Sequence, residues 1–254
     1  MKKYLFLYFL FLFPLFSIAQ IVNIEAKRKL INADTTGWFG STDLGFNLNE
    51  NGKTVLTLTA NATIEYLNGK NRWLALTNYR VVRADEQDFV NQGFQHIRYN
   101  RDWTERLTWE AFGQAQYDER LTLKFRGLVG TGPRFQLINK DKGDLFFGSL
   151  YMFQYEELNE NNIIYRDHRL STYLSYRLNL GKNAKLTGTS YYQPLLTNPR
   201  IARLSSQTTL LFKITEKLSF KSAFNISLDS RLSEAVEDVP IAVYSFVNGL
   251  KWVF

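Results

Sequence analysis

Two sets of residues in this sequence could do chemistry. One is the pair His168 and Ser190: a histidine that takes the proton of a serine hydroxyl makes it a nucleophile toward an ester. The two must meet within hydrogen-bond reach, and a third group must orient the ring. No nucleophile motif surrounds Ser190, and the one other histidine, His96, reads as a hydrogen-bonded wall residue. The second set is larger and carries charge: Arg98, Arg106, Glu110, Gln114, Gln116, Arg126, Arg134, Glu156, Arg169 and Arg177. Guanidinium, carboxylate and amide groups on one surface either attract anions through water or satisfy one another as a buried network. The glycines of RGLVGTGPRF (126–135) lack the third glycine of a phosphate-binding fingerprint, and no helix follows them. In a strand such glycines let a neighbouring side chain come close. With no cysteine and two histidines, thiolate chemistry is excluded and a histidine-rich metal site is not expected; the sequence implies no cofactor.

What would hold the charged set in place is an alternation that recurs along the chain. In TVLTLTANATIEY (54–66), Leu56, Leu58, Ala60, Ala62, Ile64 and Tyr66 share one face, with Thr57, Thr59, Asn61, Thr63 and Glu65 on the other. That is the period of a strand with one apolar side. LSFKSAFNISLD (218–229) and HRLSTYLSYRLN (168–179) repeat it, and no stretch past residue 20 has a helical period. Twelve such segments are read, near 38–48, 54–66, 72–83, 88–99, 106–117, 121–137, 144–157, 168–179, 184–193, 202–214, 218–229 and 241–254. Most are longer than the five or six residues usual in soluble strands and match the roughly 9 to 11 that cross a bilayer at a tilt. The segment at 88–99 is mixed on both faces, so its register is the least defined.

The start, MKKYLFLYFLFLFPLFSIAQ, combines two lysines, an apolar run broken by Pro14, and small residues at Ser17 and Ala19. This is the layout of a cleaved secretory signal, giving residues 1–19 as signal peptide, 20–37 as a short periplasmic segment and 38–254 as one barrel domain. The whole chain carries +7, which falls to +5 once Lys2 and Lys3 leave. That charge is spread rather than clustered, which argues against a nucleic-acid partner.

Alternation alone does not separate a membrane barrel, apolar outside, from a soluble sandwich, apolar inside. Three features favour an all-β, antiparallel up-and-down transmembrane β-barrel of about 12 strands. Compact turns such as LNGKN and LGKNA alternate with generally longer connections such as SRLSEAVEDVP, as in outer-membrane barrels. Trp38, Tyr66, Trp73, Tyr99, Trp252 and Phe254 gather on the apolar side at the end assigned to the periplasm, as an interfacial girdle would. The last segment closes on Leu250, Trp252 and Phe254, and a closed barrel requires strand twelve to meet strand one. The terminal aromatic also resembles the end signature of bacterial outer-membrane barrels, which implies the barrel-assembly machinery as a partner of the C-terminal strand.

GFQHIRYNRDWTERLTWEAFGQAQYDERLTLKFRGLVGTGPRF (93–135) resembles the central block of domain-of-unknown-function family 481, described as salt-induced outer-membrane proteins. His96 to Asn100, Glu110-Ala111-Phe112 with Gln114 and Gln116, and Arg126-Gly127-Leu128 followed by Gly130, Gly132 and Arg134 carry the likeness. TTGWFGS (35–41) and YEE (155–157) extend it. The resemblance implies fold and place, an outer-membrane barrel of a Gram-negative envelope with both termini periplasmic, and no known reaction.

Assigning polar faces inward gives fourteen basic and five acidic residues on the inner wall. A water-filled lumen with that excess favours anions. A barrel of twelve strands is also narrow enough for its side chains to fill it. The expected function is therefore a structural barrel or narrow passive channel of weak anion preference, not an enzyme. Lipid and lipopolysaccharide surround it, small solutes are its cargo if it conducts, and an envelope response to salt is its setting. A lipid-modifying hydrolase and a soluble periplasmic binding sandwich are the competing readings.

Overall fold

The computed structural model describes residues 36–84, 87–140, 142–159, 163–231 and 240–252. The signal sequence, most of 20–37 and Phe254 lie outside these residues. Twelve strands follow one another: β1 (Gly37–Glu50), β2 (Thr54–Asn68), β3 (Asn71–Ala84), β4 (Gln87–Asp102), β5 (Leu107–Asp118), β6 (Leu123–Lys140), β7 (Gly143–Leu158), β8 (Ile164–Asn179), β9 (Ala184–Pro194), β10 (Ala202–Lys213), β11 (Leu218–Asp229) and β12 (Ala242–Trp252). They form one sheet in chain order, and each ladder is antiparallel between chain neighbours. This is an up-and-down meander.

The turns at the end carrying the start of β1 are tight and locally encoded. Gly69, between β2 and β3, takes φ +55°, and Gly181, between β8 and β9, takes +83°; a side chain there would be strained. Two other turns share a four-residue pattern, threonine-glutamate-base-leucine, in Thr104-Glu105-Arg106-Leu107 and Thr215-Glu216-Lys217-Leu218. In each the threonine Oγ1 accepts from the backbone N–H groups two and three residues on, at 3.3 and 3.0 Å in the first and at 3.2 and 2.9 Å in the second. This side-chain bond competes with the ladder for the backbone donors.

The sheet curls about its own polar face. Arg126 of β6 comes within 3.9 Å of Asp229 on β11, and the Tyr173 hydroxyl on β8 donates to the Glu110 carboxylate on β5. Contacts between strands that are not ladder neighbours require the sheet to close around a shared interior. Among the described residues no ladder joins β1 to β12, and these two edge strands are the most exposed of the twelve.

The opposite side of each strand is apolar and open. Leu44, Phe46, Ile64, Ile97, Val129, Leu174, Leu204, Phe224, Phe246 and Leu250 are all exposed, and together they make far more contiguous apolar surface than a soluble monomer leaves bare. A soluble sandwich would have buried this face, so its placement decides against that alternative. Buried apolar side chains form two small internal clusters: Leu74, Leu76 and Phe94 under β3 and β4, and Leu121, Leu123 and Leu158 with Ile163 and Tyr165 beneath the longer connections.

Candidate functional site

The inward face of β4 to β11 carries a chain of buried ion pairs. Glu110, fully buried, is its first centre. Arg98 donates to it from Nη1 at 2.8 Å, Asn100 and Tyr173 also donate to it, and Arg134 stands at 3.6 Å. Local register explains the meeting of β4 and β5, because Asn100 faces Glu110 directly. Tyr173 arrives from two strands beyond Arg134, and a glycine makes room for it. A Cβ on Gly148, its ladder partner, would overlap the Tyr173 ring, and one on Gly130 would overlap the ring of Phe112.

Glu156 is the second centre. Arg126 Nε donates to it at 2.5 Å, Gln154 Nε2 at 2.7 Å, and Arg203 Nη2 at 3.4 Å. Arg203 in turn holds Asp229 at 2.6 Å and donates from Nη1 to Gln154 at 3.2 Å. A third centre joins Asp167 to Arg169 at 3.1 Å and to Arg231 at 2.6 Å. Charges this deep are tolerated because each faces an opposite charge and further hydrogen bonds; stripping one partner from such a pair costs about 3–5 kcal/mol.

His96 links the first centre to the amides. Arg98 Nε donates to His96 Nε2 at 3.4 Å, which leaves Nδ1 to donate to Gln114 Oε1 at 3.1 Å. Gln114 passes the chain to Gln116 at 2.7 Å. The imidazole is therefore the neutral Nδ1–H tautomer, and it is stacked between Phe94 and Phe112. Beside this chain lies a cavity of about 80 Å³, lined among others by Arg98, Gln116, Arg126, Gln193 and Arg203.

Of the charged set chosen from sequence, Arg98, Glu110, Arg126, Arg134, Glu156 and Arg169 are buried on this inner face, with Gln114 and Gln116 beside them on the cavity wall. Arg177 is half-buried and pairs with Asp144 at 3.0 Å. Arg106 is a correction: it is exposed in the β4–β5 turn, because the Thr104 hydroxyl bonds end the strand before it would face inward. Asp118 is the last residue of β5. It is buried and accepts from the Arg120 N–H at 3.1 Å as the cap of the short 3-10 turn Glu119–Leu121. The sequence reading missed Asn100, Asp144, Gln154 and Asp167. Asp167 shares parity with Arg169, and extending the strand four residues upstream would have found it.

The aromatic residues form a row on the outer face. Trp38 faces Tyr66, Tyr66 faces Trp73 and Trp73 faces Tyr99 across three successive ladders. Ring centroids are 4.7 Å apart in the first pair and 4.5 Å in the last. Trp252 is exposed at the same end of β12. Trp103 and Trp109, not chosen from sequence, stack at 5.1 Å beside the adjoining turn.

His168 and Ser190 are not brought together. Ser190 faces Leu174 across the β8–β9 ladder, six strand positions from His168, or about 20 Å. His168 Nδ1 bonds the Tyr151 hydroxyl at 2.5 Å, and Ser190 Oγ bonds Ser206 Oγ at 2.8 Å. Among the described residues no group of three histidine, aspartate or glutamate side chains could hold a metal ion.

These features define a twelve-stranded up-and-down β-barrel whose polar interior is cross-linked by ion pairs. By sequence the chain belongs to the family described as "Protein of unknown function, DUF481", whose model matches residues 42–239. No curated protein matches it. Among solved structures, it is similar to one described as "TodX monoaromatic hydrocarbon channel deltaS2 mutant" (TM-score 0.40, 8% identity, covering 85% of this chain and 78% of that one). It is also similar to OccK11 (OpdR) of Pseudomonas aeruginosa (TM-score 0.37, 8% identity, covering 85% of this chain and 80% of that one).

Proposed function

We propose that the protein is an outer-membrane barrel serving as a narrow passive channel of weak anion preference, with both termini periplasmic. The observation that carries the narrowness is the buried network running from Arg98 on β4 to Asp229 on β11, which occupies space that an open pore would give to water. The exposed apolar face supports lipid as its surroundings, and the Trp38–Tyr66–Trp73–Tyr99 row supports a headgroup boundary at the tight-turn end. Outer-membrane lipid and lipopolysaccharide are then its neighbours, and the assembly machinery meets it through the C-terminal strand. The anion preference is supported by a basic mouth at the tight-turn end. There Lys142, Lys182, Lys185 and Lys213 surround an open cleft of about 770 Å³, and clustered charge of one sign raises the local concentration of the other.

The test is conductance of the refolded full chain in a planar bilayer under a salt gradient. Small, steady openings with a reversal potential favouring anions are expected, and Lys185→Glu together with Lys213→Glu should move that potential toward cations. A wide, unselective conductance in the wild type would overturn the reading.

A further inference from the structure

The 80 Å³ cavity between the two main ion-pair centres has a lopsided lining. Three arginines line it, Arg98, Arg126 and Arg203, and no aspartate or glutamate does. All three nitrogens of Arg203 are engaged by Asp229, Gln154 and Glu156. Arg126 differs. Its Nε is spent on Glu156, but its buried Nη2 has no hydrogen-bond acceptor, and Asp229 at 3.9 Å is beyond bonding reach. A buried charged donor left without an acceptor costs free energy that a matching ligand recovers. Amide and hydroxyl groups of Gln116, Gln193 and Ser205 stand around the same space, while Leu128, Leu150 and Met152 form an apolar wall.

We propose that this cavity binds a small carboxylate, its oxygens on Arg126 and the neighbouring amides and its short alkyl end against Leu128, Leu150 and Met152. An anion suits the site because three arginines and no aspartate or glutamate line it, and a carboxylate suits it because its two oxygens can divide between Arg126 Nη2 and the neighbouring amide and hydroxyl donors. The volume limits the occupant to a few heavy atoms. This site stands whether or not the barrel conducts, since it depends on the packed interior alone.

The experiment is calorimetric titration of the refolded full chain in detergent with sodium propionate, with propionamide as the uncharged isostere. Saturable one-to-one binding of propionate is expected, with propionamide at least tenfold weaker. Arg126→Gln should weaken propionate at least tenfold. Because that change also disturbs Glu156, Ser205→Leu serves as the second variant: it fills the cavity, removes no charge, and should abolish binding in a barrel that still folds. Absence of saturable heat in the wild type, equal binding of the acid and its amide, or wild-type binding by a folded Ser205→Leu variant would each overturn the proposal.

Discussion

The arc from β4 to β11 and the arc formed by β12, β1, β2 and β3 are built from the same alternating strands, yet their inward faces differ in kind. On the first, long side chains meet across the interior, and Glu110, Gln154 and Arg169 are at most 2% exposed. On the second, Ser41, Asp43 and Asn47 of β1 are exposed, and Thr57, Thr59, Asn61 and Thr63 of β2 are half-buried. Their side-chain bonds stay between neighbours, as from Asn78 to Asn61 and from Asn225 to Ser245. Only at the tight-turn end of this arc are Glu65, Leu74 and Leu76 buried. Apart from Glu65, which Arg72 of β3 approaches at 3.8 Å, side-chain reach separates β1 and β2 from the first arc. Arginine and glutamate can bridge non-adjacent strands, whereas threonine and asparagine can bond only to the next strand and leave the space before them to solvent.

Breaking this contrast begins with Glu110. Glu110→Ala strands Arg98 and Arg134 without their shared carboxylate and should cost about 3–5 kcal/mol, read as a lowered urea midpoint for the refolded barrel. Asn61→Ala on the other arc removes one half-buried bond and should cost about 0.5–1.5 kcal/mol; equal losses would dissolve the distinction. Gly148→Ala falls between them. Its methyl group would enter the Tyr173 ring and should cost about 1–3 kcal/mol through overpacking, while Gly249→Ala on β12, where nothing stands within 4 Å, should be close to neutral. Thr104→Ala and Thr215→Ala should each cost about 1 kcal/mol or less, the value of a partly exposed turn bond, and by similar amounts, since the two turns share their hydrogen bonds. The smallest effect sharpens the outer boundary: Trp38 and Trp73 should be quenched more by lipids brominated near the headgroup than by those brominated at the chain end. Strong quenching by aqueous iodide would instead put the row in water.

Strand number, parity and most strand limits were legible in the sequence, because the period of two is written locally in each segment. β2 and β11 begin at Thr54 and Leu218 as read, and β3 differs by a single residue at each end. Where the sequence misled, information from elsewhere was needed. β8 starts at Ile164 rather than near His168, because Tyr165 packs on the cluster beneath the neighbouring connection. Parity placed Arg98 inward even in the mixed fourth segment, but nothing in the string pairs it with Glu110 and Tyr173, since those meetings depend on how far the sheet curls. The fourteen-to-five excess of basic residues counted charges without partners, and so overlooked Asp144 and Asp167.

The neighbour-only order of the sheet also bears on how the chain assembles. Each hairpin can close over a short loop, at little entropic cost and in any order along the chain. The bond from Tyr173 to Glu110, by contrast, spans 63 positions and cannot form until the strands between them have paired and bent. Arg98 with Glu110, Arg126 with Glu156 and Arg203 with Asp229 lie on adjacent strands and can pair within separate hairpins, whereas the bonds that join one hairpin to another, from Tyr173 to Glu110 and from Arg203 to Glu156, wait for the curvature to be complete.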